Sequence, residues 1–81
     1  MIKSMEKKAE INLQPSHVKA YRYIQKYVKK NIVAPEIAEI ASGIKLTVRH
    51  TYRIIDDLQD LGYISKDSHK KRSIKIEKPM R

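Results

Sequence analysis

The feature that most constrains this chain is a pair of amphipathic helical segments joined by a very short turn. The earlier segment is expected from about Pro35 to about Ile44. Pro35 suits a helix start, where its missing N–H is not needed. Glu36 and Glu39 lie in or near the first turn, where negative charge is favoured. Ile37, Ile40, Ala41 and Ile44 form a tight apolar face. Gly43 lowers helix propensity, at a point where the helix should be ending. Lys45-Leu46 is then too short to be anything except a turn. Thr47 is a good N-cap, and the later segment is expected from about Val48 to Leu61. Its apolar positions are Thr51 (by its methyl), Ile54, Ile55, Leu58 and Leu61, and Gly62 ends it as a C-cap glycine. Two helices joined this tightly bury a shared face and cross steeply, so the second projects from the domain.

The remaining segments complete a small fold. Another helix is expected ahead of the pair, from Pro15 or Ser16 to about Lys30. Val18, Tyr21, Ile24 and Val28 recur at helical spacing there, and Asn31 is its expected stop. After Gly62, Tyr63-Ile64-Ser65 and Ser73 to Glu77 read as two short strands, the second alternating apolar and polar. Lys66 to Arg72 between them is a polar turn-rich tip, and Pro79 closes the second strand. The expected class is mainly α with a small β-hairpin: three helices, then a wing. Residues 1–12 read as a flexible arm, 13–78 as the domain and 79–81 as a tail.

At 81 residues the chain allows one domain with an economical core. Its aromatic residues are five Tyr, with no Phe or Trp. That pattern suggests rings at the core edge with hydroxyls reaching water, although Tyr21 reads as core. Absence of cysteine excludes disulfides and thiolate metal sites. His17, His50 and His69 lack metal-ligand spacing, so no metal is expected. Asp56, Asp57 and Asp60 have no nucleophile, partner acid or glycine-rich phosphate loop beside them. No catalytic residue, cofactor or small-molecule substrate is therefore expected, and the chain is not read as an enzyme. With no signal-peptide pattern and no membrane-length apolar run, a soluble cytoplasmic protein is expected.

Charge points to a partner. The formal net charge is +9, from 18 Lys+Arg against 9 Asp+Glu, and a basic balance of this size suits a polyanion. Lys19, Arg22, Lys26, Lys29 and Lys30 form one acid-free block, read mainly as a solvated helix face. Lys66, Lys70, Lys71, Arg72, Lys75, Lys78 and Arg81 form another, against Asp67 and Glu77. With Thr51, Ile55 and Leu58 buried, Thr47, Arg49, His50, Tyr52 and Arg53 are left on the outer face of the third helix, with Lys45 just ahead. Its N-terminal turns could enter a major groove, where Arg can pair with a guanine edge. Asp56, Asp57 and Asp60 would be repelled by DNA and mark where contact should stop. Arg53 and Asp57 are also spaced for a helix-surface ion pair. Lys70, Lys71 and Arg72 at a loop tip could hold backbone phosphates or reach a minor groove.

Glu39-Ile40-Ala41, Leu46-Thr47, Thr51 to Ile55, Leu58 and Leu61 to Ile64 together resemble the winged helix-turn-helix repressors. The pattern is similar to the DNA-binding domain of LexA repressors and to MarR-like regulators. Leu13-Gln14-Pro15 is similar to the Leu-Thr-Pro opening of the first LexA helix, and Val33-Ala34-Pro35 to its loop with paired prolines. The resemblance spans roughly residues 13 to 77. It implies a recognition helix, a β wing, double-stranded DNA as partner and transcription regulation. By position, Thr47, Arg49, His50 and Arg53 fall where such domains contact DNA. Lys45 departs from the pattern, since the family often has Gly in that turn. No LexA-type second domain lies within these residues, so its autoproteolytic switch is not expected. Winged helices also serve as protein-interaction modules, for which Asp56, Asp57 and Asp60 would be the contact patch. A DNA-binding component of replication or recombination machinery is a further alternative. Two copies could read two half-sites as a homodimer, although no coiled-coil heptad is present to join them.

Overall fold

The computed structural model describes residues 13–67 and 70–80. The expected N-terminal arm at 1–12, Ser68 and His69 of the wing tip, and Arg81 lie outside the described residues.

Three helices pack together and are followed by a two-stranded antiparallel hairpin, a winged-helix-like layout. The order is α1 (Pro15–Asn31), α2 (Ile37–Ile44), α3 (Val48–Asp60), β1 (Ile64–Ser65) and β2 (Lys75–Ile76). In the hairpin Ile64 faces Ile76 and Ser65 faces Lys75. Both strands are shorter than the sequence pattern suggests, but Glu77 N–H donates to Tyr63 O at 2.8 Å and extends the pairing.

The core draws on all three helices and on the hairpin region. Ala20, Tyr21 and Ile24 come from α1, Ile40 and Ala41 from α2, and Ile54, Ile55 and Leu58 from α3; Ile64 and Ile74 close it from the hairpin. Burying each large aliphatic side chain contributes about 1.5–3 kcal/mol, and few such residues are available. The packing between helices therefore matters more than any one element. Met80, expected in a tail, packs against this core. Lys78 O nearby accepts the Tyr21 hydroxyl at 2.8 Å. Tyr21 is thus buried with its polar end satisfied by backbone rather than by water.

Two helix boundaries differ from expectation. Helix α2 starts at Ile37, not Pro35. Ala34 and Pro35 are buried in the approach, and Glu36 is an extended N-cap with φ −82° and ψ 159°. Glu39 Oε1 reaches back to accept Glu36 N–H at 2.8 Å, so a glutamate closes the first turn. Helix α1 runs one residue past Lys30 to include Asn31. Ile32 then takes the left-handed conformation at φ 68° and donates its N–H to Val28 O. Gly62, at φ 84°, follows α3 in the left-handed region where glycine is unstrained.

Candidate nucleic-acid interface

Helix α3 begins where expected. Thr47 Oγ1 accepts His50 N–H at 3.0 Å, and Thr51 Oγ1 donates to Thr47 O at 2.8 Å. The first bond satisfies an orphan N–H of the helix start. The second satisfies the hydroxyl of Thr51, which is fully buried. Thr51, Ile54, Ile55 and Leu58 form the inward stripe. Thr47, Arg49, His50, Tyr52 and Arg53 are left exposed, together with Val48. This outward face carries no acid from Thr47 to Arg53.

The acidic end of α3 is organised differently. Asp57 Oδ2 lies 2.9 Å from Nε2 of His17, a residue of α1 that is buried. His17 Nδ1 accepts Gln14 N–H at 2.8 Å. A backbone N–H can only donate, so the neutral ring carries its proton on Nε2 and donates it to Asp57. Asp57 thus pairs with His17 across 40 residues instead of with Arg53 four residues away. Its role is to tie the far end of α3 to the start of α1.

The hairpin tip is held by Ser73. Its Oγ accepts Asp67 N–H at 3.0 Å and lies 2.9 Å from both Asp67 O and Lys70 O, while Lys70 N–H donates to Asp67 O at 3.2 Å. Lys70 and Lys71 are exposed on this turn. Between the turn, the start of α2 and α3 runs a groove of about 430 Å³, with Glu36 as the one acid among its lining residues. Val48 and Tyr52 line it from α3, and Lys66, Lys70 and Lys71 from the wing. The structure therefore brings the wing lysines and part of the outer α3 face to one groove. Val48 belongs to it although it does not stand out by residue type, and Lys66 joins it from the basic block of the wing. Lys45 lies elsewhere, at the C-terminal end of α2, where its backbone is left-handed at φ 62°. Glycine is the usual occupant of such a left-handed position.

Arg72, expected as a phosphate contact, is also bonded into the fold. Its Nη1 donates to Glu39 Oε1 at 3.0 Å, to Tyr27 Oη at 3.1 Å and to Ala34 O at 3.2 Å. Its Nη2 donates to Glu39 Oε2 at 3.2 Å, and Nε lies 3.6 Å from Glu36. The Tyr27 hydroxyl itself donates to Glu39 Oε2 at 3.2 Å. The guanidinium thus latches the wing to α1, to the α1–α2 connection and to α2. The Glu36 backbone N–H, then the Arg72 guanidinium, hold the Glu39 carboxyl below its ordinary value of 4.5. Tyr27 and Glu39 push Arg72 still higher, so it stays charged. Sequence reasoning missed this cluster because its members are 33 and 45 positions from Arg72.

Among the described residues no group of three His, Cys, Asp or Glu is placed to hold a metal, and no helix is long and apolar enough to cross a membrane. Compared with known protein families and with curated proteins, the chain matches no family and no relative.

Proposed function

We propose that this chain binds double-stranded DNA as a small transcriptional regulator. The first two turns of α3 read the major groove, and Lys66, Lys70 and Lys71 hold backbone beside it. The observation that carries this reading is the acid-free outward face from Thr47 to Arg53, bordered by a groove whose opposite wall bears the wing lysines. Arg49 and Arg53 are the base-reading candidates, since a guanidinium can pair with a guanine edge in two bonds. Thr47, His50 and Tyr52 supply weaker polar contacts. Arg72 acts from behind, as the residue that positions the wing.

An anisotropy titration of mixed and site-selected duplexes tests this. Binding should weaken steeply with salt as counterions are released. Arg49→Ala with Arg53→Ala should lose about 1–3 kcal/mol of discrimination at each base contacted. Lys71→Ala should weaken binding to all sequences alike. No salt-sensitive binding at low ionic strength would overturn the reading.

A second reading, a protein-interaction module, rests on a different surface from the aspartates. Ile32 is 88% exposed and Val33 48% exposed in the α1–α2 connection, an apolar pair that folding leaves uncovered. Ile32→Asp should leave DNA binding unchanged under the first reading and abolish partner binding under the second.

A further inference from the structure

The concave face between α1 and the end of α2 is not absorbed by the reading helix and the wing. Lys19, Arg22 and Lys26 fall at intervals of three and four on α1, which places them on one side of the helix with Tyr23. The Tyr23 ring lies directly over Gly43 of α2, where any Cβ would displace it. This close approach lets α1 and the turn after α2 share a groove of about 450 Å³, lined by Lys19, Arg22, Tyr23, Lys26, Gly43 and Lys45. No acid lines it. Its two walls come from stretches 11–35 and 40–55, neither of which contains Asp or Glu. The four cations are exposed.

Lys45 adds an observation independent of charge. Its backbone is left-handed, with Lys45 N–H donating to Ser42 O and Leu46 N–H to Ala41 O to close the helix. Glycine is the usual occupant of such a position. A lysine there carries a steric cost, and among the described residues its ammonium makes no hydrogen bond or ion pair that would offset it. A strained backbone that presents an exposed lysine just ahead of the recognition helix fits a role in meeting a ligand.

We propose that this groove is a second backbone-phosphate site, in which Lys19, Arg22, Lys26 and Lys45 hold the DNA strand that flanks the segment read by α3. The proposal rests on the DNA-binding reading above and extends it to a longer footprint. The groove ends at Lys45, two residues before the N-cap of α3, so a strand passing the start of the recognition helix comes within reach of it. Lys19 to Lys26 spans about 10 Å along the helix, roughly the rise of three phosphates on one strand. The surface offers charge and no base-reading geometry, so it adds affinity without sequence preference.

The test compares the whole chain with two variants, on a long duplex and on one trimmed to the segment beneath α3 and the wing. The first variant is Lys19→Gln, Arg22→Gln and Lys26→Gln together; these residues are exposed, and an unchanged melting curve checks that it folds. The second is Lys45→Gly. The long duplex should bind the unaltered chain more tightly than the trimmed one, and the triple variant should lose that difference. Its salt slope should flatten by about 0.9 for each phosphate contact removed, with preference among sequences retained. Lys45→Gly should melt higher yet bind more weakly, a divergence that a purely structural lysine would not give. If the unaltered chain binds with a steep salt slope and both variants match it on both duplexes, the groove is not a phosphate site, while the DNA-binding reading stands. If affinity falls equally on long and trimmed duplexes and equally for heparin, the groove is a general anion surface and the proposal fails. If the unaltered chain does not bind duplex at low salt, both readings fall together.

Discussion

Lys45 and Arg72 are two cations in the same strained backbone region, at φ 62° and φ 56°, and the molecule uses them in opposite ways. In each, the Cβ crowds the following carbonyl as it would not in glycine. Arg72 turns its guanidinium inward onto Glu39, Tyr27 and Ala34. Lys45 extends an exposed side chain from the turn that precedes the recognition helix. One charge is consumed in holding the wing, and the other makes no ion pair among the described residues. The difference teaches that a net charge of +9 overstates what a ligand encounters. It also shows that the most basic run, Lys70-Lys71-Arg72, contains two different kinds of residue.

The largest effect should come from Arg72→Ala. This substitution keeps a Cβ in the left-handed region and removes every bond of the latch, so nothing offsets the loss. The melting temperature should fall further than for Lys70→Ala or Lys71→Ala, and the backbone amides of residues 73–76 should exchange faster. DNA binding should weaken as well, because the wing lysines lose the residue that positions them. An Arg72→Ala protein that melts like the unaltered chain, with unchanged amide exchange, would break the comparison.

Ile32 supplies the uncharged control. It is β-branched, left-handed at φ 68° and 88% exposed, so its conformation is costly and its side chain buries almost nothing. Ile32→Gly should raise stability by about 1 kcal/mol, after allowing for the greater freedom of glycine in the unfolded chain. In a domain of this size that is a rise of roughly 4–8 °C in Tm. Lys45→Gly should give a smaller gain of about 0.5–1 kcal/mol, since lysine is unbranched at Cβ. Urea denaturation would measure both. A gain in stability for both variants, with a loss of DNA affinity only for Lys45→Gly, would separate strain from function.

These contrasts also mark what could be read from the chain alone. Local rules were sufficient for α3, where a threonine cap, an apolar stripe and a closing glycine all agree. They were sufficient for Tyr21 as a core residue and for the order of elements. They misplaced the start of α2 because Pro35 suits a first helical turn, whereas here the buried ring precedes a glutamate cap. The Glu36–Glu39 spacing carried that cap, but with glutamate in place of the usual serine or threonine. What local rules could not reach were pairings across the fold. Arg72 with Glu39 and His17 with Asp57 are 33 and 40 residues apart, and nothing in local spacing announces them. The same limit separates Arg72 from Lys71 in function, since only tertiary contact distinguishes two neighbouring cations.

The smallest expected effect is the pH dependence of the latch, and its sign follows from Glu39. Its carboxyl is held below 4.5 in the folded protein, first by the Glu36 N–H and then by Arg72. In the unfolded chain it returns to the ordinary value. The folded state therefore binds the proton less readily, and the latch contributes fully at pH above about 4.5. That contribution is lost as pH falls through the lowered folded value, and below it neither state gains. Arg72 stays protonated throughout, so it adds no titration of its own. Because the latch is partly exposed, salt should shrink the effect. Melting curves from pH 7 to pH 3 should show a loss for the unaltered chain that Glu39→Gln lacks, since the amide cannot titrate. Lys45→Gly should keep the full acid loss, because its side chain takes no part in the latch. If Lys45→Gly blunted the acid loss as Glu39→Gln does, the two left-handed cations would be coupled, and the division of labour between them would have to be abandoned.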